Sequence, residues 1–241
     1  MRDLEIIFED QDLVVINKPA HLLSIPDRWD QDKESLYHTL LAKRKEIFTV
    51  HRLDKDTTGV IVYAKNEAAH KTLNDQFAGH ENHKSYLAIV HGQVFEPGKI
   101  DIPIASDPYH PGRMVVHKKG KEALTEYEPL ENFKEFTLLK VIIHTGRTHQ
   151  IRVHLCSIGY PIAYDPLYGS SVPITIDQIK KKNLKLTLSD ETPIKPLLAR
   201  VPLHAEKLTI IHPTSGQPMS FEAPLPKDLK ALLQQLRKWG K

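Results

Sequence analysis

The chain has 241 residues, of which 40% are hydrophobic, enough to bury a sizeable core without help from disulfides or a metal. Its one cysteine, Cys156, excludes an intrachain disulfide and fits a reducing, cytoplasmic setting; charged Arg2, Asp3 and Glu5 directly after Met1, with no long apolar run further on, speak against secretion and membrane insertion. A formal charge of +3 permits a polyanionic partner without announcing one, and several of the 14 histidines, such as His91, His110 and His117, are scattered without metal-ligand rhythm.

Leu4 to Phe8 and Leu13 to Ile16 read as two short strands around the polar turn Glu9-Asp10-Gln11-Asp12, with Pro19 ending the second. Leu36, Leu40 and Leu41 recur at helical spacing between Ser35 and Arg44, and Gly59 to Ala64 is a compact β-branched run suited to a buried strand. Asn66 is placed to cap a helix that carries Ala69, Leu73 and Phe77 on one face and closes at Gly79. Tyr86 to Val90 is strand-like, and Met114 to His144 alternates over several antiparallel strands with turns at Lys118-Lys119-Gly120-Lys121 and Glu131-Asn132. Thr148 is expected to cap a helix turning Ile151, Leu155 and Ile158 inward, with His149 and Arg152 three apart on one side. The lysine- and proline-rich stretch 170–196 reads as a basic insertion, a solvated excursion from the core. Lys207 to Ala223 reads as a hairpin, and Leu229, Leu232, Leu233 and Leu236 form one face of a closing helix at about 228–239. Strand runs punctuated by isolated helices predict an α+β fold, a mixed, largely antiparallel central sheet flanked by helices and loops, in one domain over 1–241.

Two polar stretches stand directly beside ordered elements. In His51-Arg52-Leu53-Asp54-Lys55-Asp56-Thr57-Thr58-Gly59, charged and imidazole side chains crowd a loop ahead of an apolar strand, a good platform for a site. Thr145-Gly146-Arg147-Thr148-His149-Gln150-Ile151-Arg152 is a second polar turn of this kind, and Lys84-Ser85-Tyr86 lies between them. Taken by themselves, such clusters read equally as structural ion pairs. Metal-dependent hydrolysis is the competing chemistry, but His144, His149 and His154 are five apart, which does not stack them on a helical face, and no His-Glu-x-x-His run exists, so no metal site is expected. Phosphate-binding glycine loops and Gly-x-Ser-x-Gly elbows are also missing from the sequence.

His51-Arg52-Leu53-Asp54, followed by Thr57-Thr58-Gly59 and Ala64-Lys65, resembles the catalytic motif of the RluA-type pseudouridine synthases. Lys84-Ser85-Tyr86-Leu87-Ala88 is similar to the family's tyrosine motif, and Thr145 to Leu155 to its basic-residue motif. Gly159-Tyr160-Pro161-Ile162, Asp165-Pro166-Leu167-Tyr168-Gly169 and Leu203-His204-Ala205 continue the likeness in order. The resemblance implies the pseudouridine synthase catalytic fold and an isomerase that detaches uracil from its ribose, turns it and rejoins it through carbon, without a cofactor. It makes Asp54 the nucleophile, Arg152 its basic partner and Tyr86 the ring that stacks on the target base and assists proton transfer. Arg52, placed to fill the gap left by a flipped uridine, is expected to contact RNA, as are His51, Arg147 and His149. A salt bridge from Arg52 to Asp54 or Asp56 is the structural alternative.

Because the sequence enters the catalytic domain at Leu4, no room is expected for the small S4-type RNA-binding domain of many relatives. Recognition of a structured tRNA or ribosomal RNA then falls to the catalytic domain's own loops, with 107–121 and 170–196 as the discriminating stretches. A cytoplasmic monomer without an obligatory protein partner is expected. The other open reading is an RNA-binding, chaperone-like protein on the same scaffold with dispensable catalysis.

Overall fold

Apolar alternation becomes strand pairing from the start of the chain. The computed structural model describes residues 4–27, 30, 32–180 and 195–241. In chain order its elements are β1 (Glu5–Glu9), β2 (Leu13–Lys18), α1 (Leu36–Leu41), β3 (Phe48–Thr49), β4 (Thr58–Ala64), α2 (Glu67–Ala78), β5 (His83–His91), β6 (Gly98–Asp101), β7 (Ile104–Ser106), β8 (Met114–Val116), β9 (Leu124–Asn132), β10 (Phe136–Ile143), α3 (Gln150–Ser157), α4 (Ile176–Lys180), β11 (Leu203–Ile211), β12 (Pro218–Glu222) and α5 (Lys227–Trp239). The class is α+β. Pairing is antiparallel for β1–β2, β2–β4, β3–β4, β6–β9, β7–β8 and β11–β12 and parallel for β4–β11. No helix among the described residues is long and apolar enough to cross a membrane.

The chain divides into two compact units, and the division falls within β5 and β10. The first holds the described residues up to Tyr86, with Ile142–Thr148 and Leu203–Pro224. Its strands lie in the order β1-β2-β4-β11, with β12 on β11 and β3 on β4. Every residue of β4 is buried, as its unbroken apolar run requires. One face, Val60, Val62 and Ala64, packs with Leu13, Val15, Leu208 and Ile210 against Ala69 and Leu73 of α2. Asn66 caps α2 through its side-chain oxygen on the Ala69 N–H at 2.9 Å, and Ser35 caps α1 on the His38 N–H at 3.2 Å. Gln76 ties α2 to the end of β11, donating to the Ile211 carbonyl at 2.7 Å and accepting its N–H at 2.9 Å.

Asp10, Asp12 and His212 bring metal-ligand atoms within 4.8 Å of one another, yet their hydrogen bonds define a latch between two turns. His212 Nδ1 accepts from the Thr214 and Ser215 N–H groups at 3.3 and 3.1 Å, which leaves the proton on Nε2 to donate to Asp10 Oδ2 at 2.8 Å. The other Asp10 oxygen accepts from the Asp12 and Leu13 N–H groups at 2.8 and 2.9 Å.

The second unit comprises Leu87–Val141, His149–Pro202 and Leu225–Lys241. Here β5-β10-β9-β6 is the strand order and β7–β8 a separate ribbon. Leu229, Leu232, Leu233 and Leu236 of α5 pack on Leu87, Ile89, Phe136 and Leu138. Arg200 grips the Asp228 carboxylate with Nε and Nη2 at 2.7 and 2.8 Å. Within the expected solvated insertion, Ile174 and Ile179 are buried in this same core, and Ile174 bridges to Leu198, just beyond its end and buried there too. The first part of that stretch is therefore anchored where apolar side chains demand it; residues 181–194, with Lys181 and Lys182, lie outside the described residues.

Gly59 explains the glycine of the Thr-Thr-Gly run. It sits at φ 110° where β4 meets β11, and a Cβ there would lie 2.1 Å from the Ala205 carbonyl oxygen. Gly59→Ala combines a forbidden backbone angle with a backbone clash. The expected loss is about 3–5 kcal/mol, read as a Tm lowered by roughly 10 °C in thermal unfolding. A Tm within 2 °C of wild type, on the order of experimental scatter for a mild surface change, would refute it.

Candidate active site

The loop ahead of β4 is held by hydrogen bonds to its backbone. Leu53 is buried, and both of its peptide groups meet one hydroxyl: its N–H donates to Ser24 Oγ at 3.0 Å and its carbonyl accepts from that oxygen at 2.8 Å. Tyr63 in turn donates its hydroxyl to the Ser24 carbonyl at 2.7 Å. On the other side of Asp54, Lys18 reaches the Lys55 carbonyl at 3.0 Å while also donating to the carbonyls of Leu22 and Pro19 at 2.7 and 2.9 Å. The Thr57 N–H closes the turn onto the Asp54 carbonyl at 3.1 Å. Asp54, half-buried, is thus flanked by residues fixed on both sides.

His51, expected as an RNA contact, acts as a strut. Its ring stacks on Phe77 at 4.7 Å, and Nε2 accepts the Val62 N–H at 3.2 Å. Burial, reinforced by the Lys84 ammonium, pushes its pKa down to about 3, so the ring stays neutral. Arg52 points outward and exposed, and among the described residues it forms no hydrogen bond or ion pair. The alternative salt bridge is absent there: Asp56 meets His21 Nδ1 at 2.8 Å.

Tyr86 stands in β5, 6% exposed. Burial, and then the Asp54 charge, raise its phenol above the ordinary tyrosine range, so the hydroxyl keeps its proton. Lys84, two residues earlier and so on the same face of the strand, is equally buried. Its ammonium lies 5.5 Å from the Phe77 ring centre. Burial and the Arg147 guanidinium lower its pKa to about 8.

Of the remaining expected residues, Arg147 lies in the first unit, between β10 and α3, and His149 and Arg152 lie in the second. Thr148 does not cap α3; His149 does, in the left-handed conformation at φ 55° and without a side-chain cap bond. A histidine tolerates that region, and it turns the ring off the helix. Hence His149 and Arg152 do not share a helical face; they converge on Tyr168 instead. His149 Nδ1 meets the Tyr168 hydroxyl at 2.8 Å, and the Arg152 guanidinium lies 5.0 Å from its ring centre. Arg152 is bidentate on the fully buried Asp165, with Nε to Oδ2 at 2.7 Å and Nη2 to Oδ1 at 2.8 Å. Asp165 also accepts the Leu167 and Tyr168 N–H groups at 3.0 and 3.3 Å. His154 is fully buried with Nδ1 on Thr125 Oγ1 at 2.9 Å and Nε2 on the Ile102 carbonyl at 2.8 Å.

Ser24 and Lys18 stand in none of the motifs, and Asp165, though it opens the Asp165-Pro166-Leu167-Tyr168-Gly169 run, has no expected role. A lysine inside an apolar strand and an arginine on a buried helix both signal that acceptors must exist, but only the fold names them.

A family described as RNA pseudouridylate synthase matches residues 12–157. The chain is 42% identical to ribosomal large subunit pseudouridine synthase D of Nitrosomonas europaea, over 97% of its own length and 65% of that protein's. It is 40% identical to the protein of the same name in Pseudomonas aeruginosa, over 98% of this chain and 72% of the relative. With the uncharacterized RNA pseudouridine synthase YlyB of Bacillus subtilis it shares 37% identity over 99% and 74%. The chain thus spans about two thirds to three quarters of these relatives. Among solved structures, human RNA pseudouridylate synthase domain containing 4 superposes with a TM-score of 0.70 at 25% identity, covering 97% of this chain and 93% of that one.

Removing the Asp165 charge strands a buried guanidinium. Asp165→Asn is expected to lose about 3–5 kcal/mol in denaturant unfolding, and pairing it with Arg152→Met to recover part of that loss; additive losses would show that the pair is not coupled. His51, neutral in the fold, protonates on unfolding below its ordinary pKa of 6.5, so it contributes stability that is present at pH 7 and lost as pH falls toward 3. The stability advantage of wild type over His51→Gln should shrink by about 1–2 kcal/mol between pH 7 and 4.5, a value discounted for the ring's partial access to water. A constant difference across that window would contradict a neutral His51.

Proposed function

The chain belongs to the RNA pseudouridylate synthase family, and from that premise we propose that it isomerises specific uridines of structured RNA to pseudouridine, with large-subunit ribosomal RNA as substrate. The observation that carries the chemistry is Asp54, seated between two clamped neighbours with its charge felt at the protonated phenol of Tyr86. The names of the similar Nitrosomonas and Pseudomonas proteins support the choice of RNA.

In this reading the uridine leaves its stack, because a base within a helix cannot present its glycosidic bond to a protein carboxylate. Asp54 acts as nucleophile. The C1′–N1 bond breaks, uracil turns, and a C1′–C5 bond forms; C5 gives up its proton and N1 ends with one, so the rearrangement balances without an oxidant, reductant or external group. The Tyr86 ring supplies a face for the base, and its hydroxyl a hydrogen-bonding relay near the carbon that loses its proton. Arg152, its planar group held by Asp165, takes the role of basic residue from the family likeness of its motif. Arg52, outward and unpaired among the described residues, fills the gap in the RNA stack. Arg147 and His149 are proposed as further RNA contacts. The enzyme works as a cytoplasmic monomer without a cofactor.

The test is incubation of the purified protein with transcribed large-subunit ribosomal RNA and, separately, with tRNA, followed by mapping of pseudouridine. Wild type is expected to modify discrete sites in the ribosomal transcript, and Asp54→Asn to lose on the order of 10³-fold or more in rate with RNA affinity retained. No pseudouridine in either RNA, or equal product from Asp54→Asn, would sink the catalytic reading; product in tRNA alone would move the substrate.

A further inference from the structure

Lys84 has no evident structural reason to be a lysine. It is 6% exposed, yet among the described residues its ammonium forms no hydrogen bond and no ion pair. Its partners are the Phe77 ring, at 5.5 Å from the centre, and two groups that its charge disfavours or that disfavour it: the His51 ring and the Arg147 guanidinium. An unpaired buried cation facing a second cation destabilises the fold, and an apolar side chain of similar length would serve the packing better. The contrast with Lys18, equally long and at the end of β2 in the same unit, is direct: that ammonium is on three carbonyls.

The surroundings show where a partner would enter. Gly146 is exposed, and a Cβ built on it would lie 3.9 Å from the Lys84 ammonium nitrogen, the nearest atom it would meet. With no side chain there, a backbone as bulky as a nucleic acid's can come close to the nitrogen. Ser85 points to the opposite face of β5, where it donates to Glu206 at 3.3 Å, so that carboxylate is turned away from Lys84. Tyr86, two residues on from Lys84, shares its face of the strand. The Lys84 ammonium, without an acceptor among the described residues, and the charge of Arg147, the residue after Gly146, suit a tetrahedral oxyanion.

We propose that Lys84 and Arg147, under the open surface of Gly146, form a phosphate-binding site that takes an RNA phosphodiester next to the target uridine. The inference rests on the reading of the chain as an enzyme acting on RNA, and names one group by which it holds that RNA.

The experiment compares wild type with Lys84→Met and Lys84→Gln, measuring affinity for the large-subunit ribosomal transcript across a salt series together with Tm. Both variants are expected to bind about tenfold more weakly at 0.15 M salt and to lose about 0.7–0.9 from the slope of log affinity against log salt, with Tm at or above that of wild type. A merely structural lysine would lower Tm and leave the slope in place. Should both variants fail to fold, RNA protection of Lys84 in the wild-type protein against acetylation, read by mass spectrometry, replaces them; an unprotected Lys84 overturns the site. An unchanged slope also overturns it, including the case in which only the single-turnover rate falls, which would assign Lys84 to the charge on detached uracil. Wild type that forms pseudouridine while the variants keep their slope defeats this inference alone. A wild type that forms none, with a slope still lowered in the variants, defeats the catalytic reading and leaves the phosphate site standing.

Discussion

A lysine ammonium with no exposure to solvent has to be given acceptors by the fold, and at Lys18 those include three main-chain carbonyls. Two belong to the turn after β2 and one to Lys55, so a single charge at the end of an apolar strand fixes how the Asp54 loop passes that strand. Charge-assisted bonds of this sort are among the stronger ones available, and leaving any of the donors unmet inside the core would cost more than a surface bond gains. Ser24 repeats the device with a neutral hydroxyl, joined to both peptide groups of Leu53 and anchored through its own carbonyl by Tyr63. Asp54 comes between the two. Its place therefore follows from bonds its own carboxylate does not make.

Among the buried cations of the described residues, Lys18, Arg152 and Lys84 are treated in three ways. Lys18 is consumed by carbonyls and builds the loop. Arg152 is consumed by Asp165, in a bidentate geometry that sets the plane of the guanidinium and lays it over Tyr168. Lys84 is given an aromatic ring and a like charge. A fold selected for stability alone has no use for the third arrangement. Sharing a strand face with Tyr86, Lys84 suits the proposed phosphate site, with the destabilisation offset elsewhere in a unit whose β4 is buried on both sides.

The sequence made the strands and helices of the first unit legible because their signals are local. The Asn66 cap, the β4 run and the α2 face each reside within one element, and each appears where periodicity and capping rules put it. The α3 entry was misread for an equally local reason: Thr148 is a better N-cap by type than His149, but the left-handed turn at His149 shifts the start by one residue. Short strands such as β6 and β7 have too few residues to show a period. Asp165 is 13 residues from Arg152, and Ser24 is 29 from Leu53. Nothing short of the folded chain pairs residues at such separations, though a buried arginine announces that some acid must be found.

Most residues of the motifs that carry the family likeness have structural partners. His51 supports a β4 peptide, Thr58 meets His204 at 2.9 Å, and Gly59 makes room for Ala205. Such motifs describe a platform, which is why they extend so far along the chain and why they are silent about which RNA is bound. The bonds that hold Leu53 and Lys55 are made within the protein, so the backbone at Asp54 is set and little of the binding energy has to be spent on arranging it. The energetic burden of the reaction's first stage then falls on the nucleic acid, whose base must unstack. In the proposed reading, that cost is repaid in the first unit by outward Arg52 and by Lys84 beneath Gly146, neither of which has a hydrogen bond or ion pair among the described residues.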